Sequence, residues 1–124
     1  MIARVVFIMA ALIGLIEPAR ADAVADFYRS KSIQLVLGYG PGGGYDVYAR
    51  VIARYLGKYI PGNPAVVVIN MPGAGSLRAT NFLYTTAPKD GLTIGAFARD
   101  MPLMGILGGN ANVQFDPRKF TSRS

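Results

Sequence analysis

The sequence predicts an α/β domain built on a parallel sheet in β-α-β-α-β order, and two observations predict it. Three short apolar runs rich in β-branched residues, Ile33–Leu37, Ala65–Ile69 and Leu92–Phe97, have the near-continuous apolar character of parallel strands buried on both faces. The stretches between them carry apolar residues three and four apart, the period of a helix. Strand and helix therefore alternate across short connections, the pattern of right-handed β-α-β crossovers.

At 124 residues the chain holds one domain at most, and its start reads as a leader. In Met1–Ala21, Arg4 is a minimal charged region, Val5–Ile16 an apolar run and Ala19-Arg20-Ala21 a small-x-small cleavage site. The mature protein is expected to start at Asp22, with cleavage after Ala23 as the alternative, so residues 22–124 form the domain. The apolar run falls short of the ~20 residues that span a bilayer, which argues against an uncleaved anchor. The expected location is the periplasm.

The chain carries 13 Lys and Arg against 7 Asp and Glu; without the leader the balance is 11 against 6. These charges are scattered singly, and only Arg118-Lys119 are adjacent basic residues, so no nucleic-acid patch is evident. Histidine and cysteine are absent. That excludes histidine-based triads, thiol catalysis, disulfides and the usual zinc sites. The expectation is a binding protein, with no enzymatic activity, catalytic residue, metal or cofactor.

The elements follow in order. Ala23–Ser32 is a polar lead-in, with Phe27-Tyr28 expected to cover the edge or end of the first strand. The strand Ile33–Leu37 breaks into the glycine-dense loop Gly38–Gly44. A helix is predicted over Tyr45–Tyr59, its apolar stripe of Tyr48, Val51, Ile52, Tyr55, Leu56 and Tyr59 facing the core. Tyr48, Tyr55 and Tyr59 are expected at the core edge, and Arg50, Arg54 and Lys58 on the solvent side. Ile60–Pro64 ends that helix through proline and glycine. The strand Ala65–Ile69, the turn Asn70–Ser76 and a helix from about Ser76 to Thr86 repeat the unit. Pro88-Lys89-Asp90-Gly91 is a turn signal. The third strand, Leu92–Phe97, leads through Ala98-Arg99-Asp100 to a short helix at Met101–Leu107.

Three strand-to-helix loops thus leave the same end of the sheet, where open α/β sheets bind ligands. Two of them are Gly/Pro turns that open helices, and a helix N-terminus offers unpaired N–H groups and a positive dipole end to an anion. Asp46 falls in the first turn of its helix, where it either favours the dipole or touches ligand or water; its charge opposes an anion, so its expected task is to order loop amides. Arg99 reads either as a carboxylate fork or as a solvated loop residue, and Arg50 and Arg78 as helix surface. Gly38-Tyr39-Gly40-Pro41-Gly42-Gly43 also satisfies G-x-G-x-x-G, which makes a small exported nucleotide-binding, Rossmann-like protein the alternative. Against it, Asn70 and Met71 stand where the second strand needs an acidic residue for the ribose.

The segment GYGPGGGYDVYAR resembles the P-G-G-G-x-D-x-x-A-R loop of the solute-binding receptors of tripartite tricarboxylate transporters, the Bug-type periplasmic receptors. The segment VVVINMPGAGSLRATNFLYTTAPKDGLTIG resembles that family's second block, N-x-P-G-A-G followed by A-P-x-D-G-x-T. The resemblance covers about Ser30 to Thr121. It implies the first domain of a periplasmic-binding-protein-like (type II-like) fold, a small-molecule carboxylate as ligand, and delivery to the membrane transporter subunits. By the same resemblance, ligand contacts fall on Tyr39, Pro41, Gly42, Gly43, Gly44, Tyr45 and Asp46, and on Pro72, Gly73, Ala74, Gly75 and Ser76. Ala98, Arg99 and Asp100 match by position. Tyr45 stands where Thr is common in the family, and Ser76 where Gly is common. The pattern runs out over Val113–Thr121, so the sequence reads as the N-terminal part of such a receptor, truncated, with the second domain and hinge absent and binding impaired.

Overall fold

A computed structural model describes residues 18–120. Most of the expected leader lies outside that range. The described chain opens with helix α1, Pro18–Tyr28, where a polar lead-in was expected. The run PARADAVADFY is rich in alanine, the strongest helix former. Both expected cleavage positions fall within this helix. Its last turn packs on the turn before the second strand: a Cβ at Gly62 would collide with the Ala25 carbonyl and lie 3.1 Å from the Tyr28 side chain. The Tyr28 hydroxyl also reaches the Gly91 carbonyl at 3.4 Å. Tyr28 therefore sits against the turn that precedes the third strand.

The sheet has three strands, β1 (Ser32–Leu37), β2 (Ala65–Asn70) and β3 (Thr93–Ala96), in the order β2-β1-β3. Both pairings are parallel, with Leu35 opposite Val68 and Ile94, and Leu37 opposite Asn70 and Ala96. The parallel α/β expectation is met. The central strand β1 buries Ile33, Leu35, Val36 and Leu37 and exposes Ser32 and Gln34, while β2 and β3 are edges with no fully buried residue.

The helices divide between the two faces because β1 alternates. Leu35 and Leu37 point to one face and join Ala49 and Ala53 of α2 (Gly44–Leu56), with Val66, Val68 and Ala96 around them. Val36 points to the other face and joins Ala79 and Leu83 of α3 (Leu77–Thr85), with Phe82 and Phe97 beside them. A 3-10 turn, Gly57–Tyr59, finishes α2, another, Ala74–Ser76, opens α3, and a third spans Pro117–Lys119. Helix α4 is Met101–Leu107. The segment after it folds back on α3, where Asn81 donates to the Asn112 carbonyl at 2.8 Å and accepts from the Gln114 N–H at 3.0 Å.

One expectation fails here. The bulky stripe of α2 does not face the sheet: Tyr48 is 72% exposed and Tyr59 84%, and Val51, Ile52 and Tyr55 are about half exposed. The face turned inward is Asp46, Ala49 and Ala53, also spaced by three and four, and of the expected stripe only Leu56 is partly buried. Small residues let the helix axis approach the strands closely, and the bulky ones turn outward. Both faces are apolar at helical spacing, so periodicity alone did not choose between them.

Candidate functional site

Loop 1 leaves β1 at Gly38 and enters α2. Gly42 has φ +85°, a conformation that favours glycine. Asp46, 4% exposed in the first turn of α2, reaches back under the loop. Its Oδ2 accepts from the Gly42 N–H at 2.9 Å and from Arg50 Nε at 2.9 Å, and its Oδ1 accepts from Asn70 Nδ2 at 2.8 Å. Asn70 also donates to the Tyr39 carbonyl at 3.0 Å, while its own carbonyl accepts from Arg50 Nη2 at 3.1 Å. The Arg50 guanidinium, the Gly42 N–H and the Asn70 amide together hold the Asp46 carboxyl well below the usual carboxylate range, and Asp46 raises Arg50 in return. Asp46 fixes one loop amide, that of Gly42, the kind of task its charge suggested. Arg50 is not mere helix surface, since it pairs with Asp46 one turn away.

Loop 2 is wound in the opposite sense to a normal turn. Gly73, Ala74, Gly75 and Ser76 all have positive φ, at 147°, 46°, 61° and 83°. This backbone suits glycine, so Ser76 holds a conformation that a side chain disfavours. Ser76 is fully buried, and its Oγ donates to the Gly38 carbonyl at 3.1 Å. Thr80, also buried, donates to the Ser76 carbonyl at 2.9 Å. The aliphatic stem of Arg78 lies over Gly73, and the residue is otherwise exposed.

Loop 3 joins by packing. Ala98 is buried with Leu77, Met101 and Phe115, and Tyr39 packs against the same cluster. Arg99 and Asp100 are exposed. The three loops therefore meet at the carboxyl end of the sheet, as expected from the strand order. In the order β2-β1-β3 the chain reverses direction across the sheet between β1 and β3, the switch point at which α/β folds open a crevice.

Pro41, Gly43, Gly44, Tyr45, Pro72, Gly73, Ala74 and Gly75 are exposed at this end. A Cβ at Gly43 or Gly44 would meet nothing within 4 Å, and neither residue has a left-handed φ. The fold itself does not require glycine at either position. The Gly42 N–H is committed to Asp46, whereas the N–H groups of Gly44, Tyr45 and Asp46 precede the first bond back along the helix, from Val47 to the Gly43 carbonyl at 3.1 Å. Tyr45 stacks flat on Tyr39, centroids 4.1 Å apart and planes 4° from parallel. The site is an open ledge. Clefts of about 480 Å3 and 640 Å3 run along β3 and α3 and along β2 and α2, and neither is lined by a residue expected at the site. Among the described residues no group of His, Cys, Asp or Glu could hold a metal ion.

No protein-family model matches the chain. Individual proteins do. The UPF0065 protein in the gbd 5′ region of Cupriavidus necator is 38% identical over 99 residues, 80% of this chain and 28% of that protein. Protein BugT of Bordetella pertussis is 37% identical over 99 residues, again 80% and 28%. A UPF0065 protein of the same bacterium is 34% identical over 102 residues, 82% and 27%. The chain's homologues are Bug-type proteins. The chain spans less than a third of the length of these relatives. The resemblance carried by the two loops is borne out, and in Bug-type terms both blocks now have a place. P-G-G-G-x-D is loop 1 with the first turn of α2, and N-x-P-G-A-G is the end of β2 with loop 2.

Two residues of the constellation escaped the sequence reading. Asn70 was read as the start of the turn Asn70–Ser76 and as evidence against a ribose contact, not as a member of the site, although it opens the second Bug-type block. Arg50 was set aside as surface, although Asp46 and Arg50 stand at the i, i+4 spacing of a helical ion pair.

Proposed function

We propose that this chain contributes the first-domain surface of a periplasmic, Bug-type solute-binding protein, gripping the carboxylate of a small anionic solute. The glycines at Gly43 and Gly44 carry the reading. Neither backbone conformation nor packing within the chain calls for them, so their lack of side chains serves the approach of something outside the chain. What they uncover is a helix N-terminus, where N–H groups and dipole favour an anion. Loop 2 brings Gly73–Ser76 to the same ledge, and the Bug-type homology supports a binding role. Delivery to transporter subunits of the tripartite tricarboxylate type, and export by cleavage of Met1–Ala21, complete the proposal. It involves no nucleic acid and no cofactor.

The site is open on one side, so affinity is expected to be weak, on the order of millimolar. An NMR titration of the 15N-labelled chain with citrate, succinate, NAD and ATP tests this. Saturable shifts at Gly43, Gly44, Tyr45 and Gly75 with the carboxylates support the proposal. Shifts there with NAD or ATP alone transfer it to a nucleotide site, and no shift with any of the four overturns it.

A further inference from the structure

We infer that Asn70 is the positioning residue that holds loop 1 in its ligand-ready shape and ties it to loop 2. Asn70 is the last residue of β2, opposite Leu37 at the end of β1. Beyond Leu37 the parallel ladder stops, with the Met71 N–H on the Leu37 carbonyl at 2.7 Å. The next carbonyls of β1's chain therefore lack a neighbouring strand. Ser76 Oγ takes that of Gly38, and the Asn70 side chain takes that of Tyr39. Asn70 thereby extends the sheet by one rung, with a side chain in place of a backbone.

The same amide serves Asp46 and Arg50. One N–H goes to Tyr39, the other to Asp46 Oδ1, and the carbonyl to Arg50. All of its hydrogen-bonding groups are occupied, and each partner belongs to loop 1 or to the helix that loop 1 opens. The Asp46 carboxylate in turn fixes the Gly42 N–H. Asn70 also begins the turn Asn70–Ser76, so a shift of loop 2 reaches Tyr39 through the Asn70 side chain and Gly42 through Asn70 and Asp46, beside the separate Ser76–Gly38 bond. An aspartate at 70 keeps the shape and removes the donor. It would set a carboxylate against both Asp46 and the Tyr39 carbonyl, with only Arg50 to offset it.

The test compares amide hydrogen exchange in the wild-type chain, N70D and N81A. Asn81 holds the segment 112–114 to α3 and touches neither loop. In N70D the Gly42 amide is expected to exchange about tenfold faster, while Val36 in the core strand is unchanged. N81A should leave Gly42 as it is. Equal Gly42 protection in N70D, or a loss that only parallels Val36, overturns the inference. The link to ligand rests on the carboxylate reading above, and citrate titration of N70D addresses it: a fivefold or greater loss of affinity is expected. If the wild-type chain binds no carboxylate, the proposed function fails, yet the exchange comparison still decides the role of Asn70.

Discussion

Ser76 joins the two glycine loops, its hydroxyl 3.1 Å from the Gly38 carbonyl, from a backbone held at φ 83°. Hydrogen bond and conformation pull in opposite directions, because a side chain in the left-handed region costs about 1–2 kcal/mol. The bond returns about 0.5–1.5 kcal/mol. Ser76→Gly relieves the strain but also leaves the Gly38 carbonyl without its partner, so its stability is expected within about 2 kcal/mol of wild type. Ser76→Ala keeps the strain and orphans the Gly38 carbonyl, and is expected to lose about 1–3 kcal/mol. Urea denaturation of both variants gives the comparison, and an alanine variant more stable than the glycine variant would contradict it.

Gly44 begins a helix with ordinary backbone angles and open space around it. Gly44→Ala is expected to stabilise the chain by about 0.4–1 kcal/mol through the unfolded state. The same methyl group covers the N–H ledge, so carboxylate-induced shifts at loop 1 should vanish. Thermal unfolding and the citrate titration on one variant separate the two effects.

The acid limb of stability is expected to belong largely to Asp46. Its folded-state pKa is depressed, so its contribution is complete above the unfolded carboxylate value of about 3.9 and fades as pH falls through the lower folded value. Asp116, lowered by Arg118, adds in the same direction. Unfolding midpoints measured from pH 7 down to pH 2 should fall below about pH 4 in wild type. Asp46→Asn should be less stable at neutral pH, with a shallower acid decline; an unchanged slope would remove Asp46 from the account.

The outward stripe of α2 can be set against the core of α3. Leu83 is 7% exposed, and Leu83→Ala is expected to cost about 2–5 kcal/mol. Tyr48→Ser, at 72% exposure, should stay within about 0.5 kcal/mol of wild type. A loss of several kcal/mol at Tyr48 would return that stripe to the core.

Much of this was legible in advance. The β-branched runs and the Gly/Pro turns between helical stretches are short-range signals, and they located three strands and the parallel order within a residue or two. The glycine spacing and the Pro-Gly-Ala-Gly turn located the loops, for the same local reason. Which face of α2 meets the sheet was not legible. Its alanine face and its tyrosine-valine face both repeat at three and four, and only the distance between helix and strands selects the smaller one.

Asn70 belongs to the second group. Its neighbours in the site, Tyr39 and Asp46, are 31 and 24 residues away in sequence. Composition and periodicity carry no record of such a contact, because it arises only where β2 pairs in register with β1 and sets Asn70 beside Leu37. Local chemistry thus decided the elements and the loops, and the pairing of distant strands decided which side chains hold those loops in place.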